Sequence, residues 1–355
     1  MLVDAGALAD GLPLSETDPR PNASHRAGEW ISRYIEHMMA PAPARLDYAV
    51  LTHFHYDHMG QVTSASPMSL NGSYKLSGIT DVGDKIPIGT LIDRGYPSYD
   101  FPDPQPASET FKNYRSFVAE QVKKGMKIER IEVGRNDQIT LKRDAARYPA
   151  FEVRNVSANG DVWTGTGTAV THVFPADFSK LIPEDRPTEN MSSIGLRIRY
   201  GKFDYWTGGD IPGIPDPGSP EWHSIETPIA KAIGPTDVHV VNHHGSISPE
   251  SGIWLSTLKS RVIIFPVWSP THPSQDSLKR ALTMRLYPGP RDIFVTLLRP
   301  TTAASIGDRV KQLKSTHGHV VIRVAPGGGS YQIFILDDTS ESYQVIGTFG
   351  PYEAE

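Results

Sequence analysis

The sequence predicts a mixed α/β fold, and three features of its hydrophobic pattern carry that prediction. Amphipathic helical stretches alternate with short apolar runs, the pattern of helices laid over a buried sheet. Two pairs of apolar runs, within 194–206 and 320–336, read instead as hairpins, so antiparallel pairing is expected beside parallel. Several apolar runs end directly in stretches rich in Gly, His or Asp, which puts metal-ligand residue types at strand ends.

The elements follow in order. Met1-Leu2-Val3-Asp4-Ala5-Gly6 is a strand emerging into a Gly turn, and a polar, Pro-containing loop runs on to about residue 23. Ser24 is the expected cap of a helix whose stripe is Ala27, Trp30, Ile31, Tyr34, Ile35 and Met38, ended by Pro41. Asp47 to Thr52 is a short buried strand. Residues 61–108 read as an irregular excursion in which Tyr96, Tyr99 and Phe101 wall a pocket or simply cover the surface. Ser108 caps a second helix with Phe111, Tyr114, Val118 and Val122 inward and Gly125 as its stop.

Strand patterns occupy 127–133, 138–141, 151–153 and 169–174. Gly165-Thr166-Gly167 lacks the strand–turn–helix setting of a dinucleotide site and reads as a hairpin turn. Ile194–Tyr200 and Phe203–Trp206 pair across Gly201-Lys202, and a helix follows at about 222–233. Val238–Val241, Arg261–Val267 and Ile293–Leu298 are strands, with a helix at Ser274–Leu282. Val320–Val324 and Tyr331–Leu336 form the last hairpin. No clean linker or fixed-period repeat divides the chain, so one domain over 1–355 is expected, with a loop and helix insertion at about 61–126.

Composition narrows the function. The chain has no cysteine, so disulfides and thiolate metal sites are impossible, and any metal must be held by nitrogen and oxygen. The net charge of −5 offers no global field for nucleic acid or an anionic membrane. No run approaches the roughly 18 apolar residues of a membrane span. The 31 glycines and 30 prolines imply many turns rather than disorder, because apolar runs continue into the C-terminal region. The chain opens on a strand with neither lead-in nor signal peptide. A missing upstream segment is one reading of this start; a removed leader would favour export over a cytoplasmic location, and a shortened chain fits equally well.

The chemistry concentrates at Thr52-His53-Phe54-His55-Tyr56-Asp57-His58-Met59-Gly60, which holds three of the 13 histidines. In extended backbone, residues i, i+2 and i+4 face one way, which puts His53, His55 and Asp57 on one side and leaves His58 to point elsewhere. One segment can thus offer two ligands to each of two metals. Asp210 follows a glycine pair at a strand end, where a carboxylate can bridge two cations, and His243-His244 ends another strand. Alone, a Gly-Gly-Asp is usually a turn and a His pair usually surface. Their weight comes from agreement with the first cluster.

The pattern His53-x-His55-x-Asp57-His58, preceded by Asp4-Ala5-Gly6 and followed by Gly209-Asp210, resembles the metallo-β-lactamase fold superfamily. His243-His244-Gly245-Ser246, Glu189-Asn190-Met191-Ser192-Ser193 and His272-Pro273 are similar to the soluble hydrolase domain of ComEC-type DNA-uptake proteins and to bacterial phosphorylcholine esterases. The resemblance implies a four-layer αββα sandwich, lacking its first strands here, with two divalent metals at one edge. It assigns His53 and His55 to the first metal, and Asp57, His58 and His244 to the second. Asp210 becomes the bridge, and His243 supports a ligand or faces substrate. Many relatives give the first metal a third histidine about 20 residues before the bridging aspartate. Here Glu189-Asn190 occupies that place, leaving Glu189, Asn190 or solvent as the ligand, with His172 a distant candidate. Oxygen ligation would admit manganese or iron beside zinc.

The implied activity is hydrolysis of a phosphodiester, small or nucleic acid, by a metal-activated water that Asp57 orients while His243 serves the leaving side. The alternatives are carbonyl hydrolysis of a lactone, amide or β-lactam, and a catalytically inactive binding protein of the same fold. Neither a serine nucleophile elbow nor a P-loop competes for the role.

Overall fold

The computed structural model describes residues 1–8, 18–102 and 108–355, so part of the expected N-terminal loop lies outside the described residues. Contacts divide the chain into two compact units, the first ending at Ile131 and the second running from Glu132 to Glu355. Each is mixed α/β, as the sequence predicts.

The first unit is built on a parallel sheet in the order β1 (Leu2–Val3), β2 (Leu46–Val50), β3 (Ile88–Asp93), β4 (Lys127–Arg130). Its helices are α1 (Ala27–Met39), α2 (Tyr56–Met59), α3 (Ile79–Lys85) and α4 (Glu109–Lys123). The expected irregular stretch at 61–108 therefore contains a helix and a central strand. Their apolar runs are short and are broken by Gly83, Pro87 and Gly89, which mask the helical and strand periods.

Helix α1 starts two residues later than expected, with Arg26 and not Ser24 at the cap. The Glu29 carboxylate accepts from Arg26 N–H at 2.9 Å, while the Ser24 hydroxyl is engaged with His25 at 2.8 Å. Its buried face is centred on Gly28 and Ser32, flanked by Ile31 and Ile35, and Ala27 and Met38 are exposed. Small residues win that face because α3 packs close, so that a Cβ on Gly28 would collide with Asp81 and the Gly78 carbonyl. Ser108 caps α4 as expected, accepting from Phe111 N–H at 3.1 Å, but Phe117 is inward and Val122 is 42% exposed. Tyr99 does not wall a pocket. It lies in the core against Phe54 and Phe111, its hydroxyl donating to Asp93 at 3.0 Å.

The second unit carries β5 (Phe151–Ala158), β6 (Asp161–Trp163), β7 (Val170–His172), β8 (Gly195–Tyr200), β9 (Phe203–Thr207), α5 (Glu226–Ile233), β10 (Val238–Val240), α6 (Gly252–Leu258), β11 (Val262–Phe265), α7 (Gln275–Leu282), β12 (Asp292–Val295), α8 (Pro300–Ile306) and β13 (Leu313–Ser315). Its nine-stranded sheet runs β13-β12-β11-β10-β9-β8-β5-β6-β7. From β9 to β13 the pairing is parallel, and from β9 through β8 to β7 it is antiparallel.

The hairpins at Gly201-Lys202 and at Gly165-Thr166-Gly167 form as expected. The expected strand at 138–141 does not; those residues are irregular, and Asn155 Nδ2 ties Gln138 to the sheet side at 2.8 Å. A second, antiparallel sheet of β14 (His319–Val324), β15 (Ser330–Leu336) and β16 (Val345–Glu353) packs Tyr331, Ile333 and Ile335 onto Phe203, Val238 and Ile264. The opposite face of β9 presents Trp206 to Trp254 of α6, ring centroids 5.3 Å apart. The period of two along β9 and β10 thus separates the two faces of the sheet.

Candidate metal centre

In the first unit the parallel sheet delivers its functional side chains at the carboxyl ends of its strands, the usual edge for ligands in such sheets. β2 runs through Leu51-Thr52 into His53, which is wholly buried. The backbone stays extended as far as His55, then turns into α2. The expectation that His53, His55 and Asp57 share one side is therefore met only by the histidines. Extension stops at His55, and Asp57 groups with His58 in the first turn of the helix.

His53 Nε2 and His55 Nδ1 stand 3.1 Å apart. Two imidazole nitrogens on one tetrahedral ion would be separated by about 3.3 Å, so this pair fits a shared cation. Asp57 Oδ2 and His58 Nε2 stand 3.8 Å apart.

Asp4, at the end of β1, supplies what the sequence reading missed. Its carboxylate accepts from Thr52 N–H and the Thr52 hydroxyl, both at 2.7 Å, and from His58 Nδ1 at 2.8 Å. A carboxylate on Nδ1 fixes the ring and leaves Nε2 as the ligand atom. The Asp4-Ala5-Gly6 turn is shaped for this task. Asp4 adopts φ 57°, Ala5 N–H donates to the His58 carbonyl at 2.9 Å, and a Cβ on Gly6 would collide with the Asp57 carbonyl. In the sequence Asp4 enters through the Asp4-Ala5-Gly6 turn of the resemblance, which gives it no role toward His58.

The second unit repeats the arrangement. β9 ends in Gly208-Gly209-Asp210, and β10 ends in Asn242-His243-His244. Asp210 is buried, its N–H donating to Ser193 Oγ at 3.2 Å. Its Oδ1 lies 3.2 Å from His244 Nε2, and its Oδ2 lies 3.7 Å from His243 Nε2. His244 Nδ1 faces the Pro266 carbonyl at 2.9 Å, which again leaves Nε2 toward the carboxylate. Behind it His272 stacks at 5.5 Å and Trp268 stands edge-on at 5.9 Å.

Both histidines of the pair are left-handed, at φ 47° and 55°, a conformation that non-glycine residues hold only when their surroundings impose it. The constraint is a buried polar frame. Asn242 accepts from Trp206 Nε1 at 3.0 Å and donates to Glu226 at 3.0 Å, and His243 N–H donates to the Gly209 carbonyl at 2.9 Å. Glu226 also accepts from the N–H groups of Glu250 and Ser251, each at 3.0 Å. Burial, reinforced by the charge of Glu250, pushes its carboxyl up to about 7.

Of the residues at the departure from the resemblance, Asn190 reaches His243, its Nδ2 lying 3.2 Å from Nε2. Glu189 precedes it at the start of a short 3₁₀ turn, with its carbonyl accepting from Ser192 N–H at 3.0 Å. His172 sits on the exposed strand β7, paired with Asp161 at 2.7 Å. No helix among the described residues is long and apolar enough to cross a membrane.

No family model matches the chain, and no curated protein matches it. Two solved structures are similar to it over part of their length. One is CmlA, a diiron beta-hydroxylase from Streptomyces venezuelae, at 13% identity and a TM-score of 0.37, covering 79% of this chain and 45% of that one. The other is a mutant of the CmlA beta-hydroxylase, at 13% identity and a TM-score of 0.38, covering 73% and 45%. The chain spans less than half the length of either.

Proposed function

We propose that the two clusters serve one centre for two divalent ions, in a hydrolase of the metallo-β-lactamase type that cleaves a phosphodiester. The observation that carries this reading occurs once in each unit. A buried imidazole has its Nδ1 fixed by a protein oxygen and its Nε2 beside a carboxylate: His58 with Asp4 and Asp57, and His244 with Pro266 and Asp210. Such buttressing is the usual support of a metal-ligating histidine. The donors are nitrogen and carboxylate oxygen only, which suits zinc, manganese or iron.

In this reading His53 and His55 would hold one ion, Asp57, His58 and His244 would hold the other, Asp210 would serve both, and Glu189 is the candidate for the remaining position. When bound, the ions supply Lewis acidity and a nucleophilic water near neutral pH. The chain supplies orientation and proton handling. Asp57 accepts a hydrogen bond from the attacking water. Asp4 and Pro266 keep the Nδ1 protons of His58 and His244, so neither ring can turn its other nitrogen inward. His243, whose Nε2 lies 3.2 Å from Asn190 Nδ2, is the residue this reading places on the leaving side.

The test compares bis(p-nitrophenyl) phosphate with nitrocefin on protein loaded with zinc, manganese or iron. Phosphodiester turnover that disappears in Asp210→Ala together with bound metal is expected. Nitrocefin turnover without phosphodiester cleavage would reverse the choice of substrate, and full activity of Asp210→Ala would remove the bridge.

A further inference from the structure

Beside His243 the second unit holds a cavity of about 510 Å³, within the usual range of small-ligand sites. Its walls include Met191, Ile214 and Ile247, and its polar lining includes Asn190, His243 and Ser246. Ile214 and Ile247 are 41% and 71% exposed, so an apolar rim faces solvent. Asn190 Oδ1 and Ser246 Oγ are buried without a hydrogen-bond partner among the described residues. A buried acceptor and a buried hydroxyl left in this state cost free energy that a ligand donor can recover.

Charge is the second argument. Neither lysine nor arginine lines the cavity among the described residues, and its one carboxylate, Asp216, is exposed. A phosphate or nucleic-acid backbone entering here would find no fixed guanidinium or ammonium group, only the imidazoles of His223, His243 and His272.

We propose that this cavity takes an uncharged, mainly apolar group of the substrate, an aromatic ring bearing a hydroxyl or amide N–H, with Ser246 and Asn190 selecting it. The proposal rests on His243 as the substrate-facing residue of the centre. It narrows the substrate from phosphodiesters in general to esters carrying one such neutral group. Polynucleotides, charged at every residue, fall outside that class.

Binding can be read without turnover. Saturation-transfer NMR on the full chain treated with chelator would use 4-methoxyphenol and acetanilide as probes, with inorganic phosphate and a dinucleotide as competitors. Both arenes are expected to bind, Ser246→Ala to weaken them about fivefold, and Ile247→Glu, a surface change that leaves the fold intact, to weaken them similarly. Competition by phosphate or the dinucleotide, or unchanged binding in both variants, would overturn the assignment. Arene binding in a protein that hydrolyses nothing would support the cavity assignment and refute the hydrolase reading.

Discussion

Replacing Glu226 with alanine tests whether the frame under the His243-His244 turn is what holds it. Glu226 is wholly buried, and its carboxylate accepts from Asn242 Nδ2, Glu250 N–H and Ser251 N–H, each at 3.0 Å. Truncation leaves three buried donors without an acceptor, each costing about 1–3 kcal/mol before relaxation. Because the three share one acceptor their costs do not simply add, and a total of about 3–6 kcal/mol is expected.

The pH dependence is a second reading of the same group. Its folded pKa of about 7 lies above the ordinary 4.5, so the fold retains a proton that the unfolded chain has lost between those values. The stabilisation is complete below about 4.5 and is lost as pH rises through about 7, on the order of 3 kcal/mol. Asp237, raised to about 6 mainly by burial, contributes a smaller slope of the same sign. Urea unfolding at pH 5 and pH 8 measures both effects. The wild type should lose stability between the two, and Glu226→Ala should be weaker at both with a shallower slope. A variant within 0.5 kcal/mol of the wild type, roughly the size of an inconsequential surface change, with its slope intact, would refute the reasoning.

Other expected outcomes follow from the same geometry. Asp4→Asn should lower metal affinity 10- to 100-fold, roughly the usual effect of removing such a support, as measured by competition with a chromophoric chelator. Gly6→Ala forces a Cβ into the Asp57 carbonyl and should lower both thermal stability and metal content, whereas Gly72→Ala, at a glycine with open space, should not lower metal content. Arg280 donates to the carbonyls of Ile247, Pro249 and Glu250; Arg280→Met should make the 246–250 loop the first site of limited proteolysis, detectable by mass spectrometry.

The elements readable from sequence were those whose own pattern sufficed. Phe203-Asp204-Tyr205-Trp206 against Ile194–Tyr200 declares a hairpin because the turn residues and the alternation agree. The segment 53–58 stands out because three histidines and an aspartate within six residues at a strand end are difficult to place otherwise, and Asp210 and His243-His244 draw their weight from agreeing with it. What escaped was decided by distant partners. Val122 satisfies a helical stripe, yet Phe117 takes the core because the ring meets Tyr74 at 5.2 Å. Strand β3 was hidden because its glycine and its flanking proline obscure a run that only a parallel sheet makes sense of. Asp4 looked like the end of a strand because its partners, Thr52 and His58, lie 48 and 54 residues away.

The two buttressed histidines differ in one respect with chemical consequences. His58 Nδ1 meets a carboxylate, whereas His244 Nδ1 meets a backbone carbonyl. A full negative charge on the far nitrogen makes an imidazole a more basic ligand than a neutral dipole does. The Asp4 charge is itself spread over two Thr52 donors at 2.7 Å, which moderates the effect. His58 is therefore expected to be the stronger ligand of the two, and His244 the more readily displaced. The surroundings agree with that division. His58 is enclosed by the turn that Asp4, Ala5 and Gly6 shape, while His244 shares its neighbourhood with the cavity residues His243, Ser246 and His272. Under the proposed assignment, a ligand that yields as substrate enters would be better supported by a carbonyl than by a carboxylate, and His244 is the one so supported.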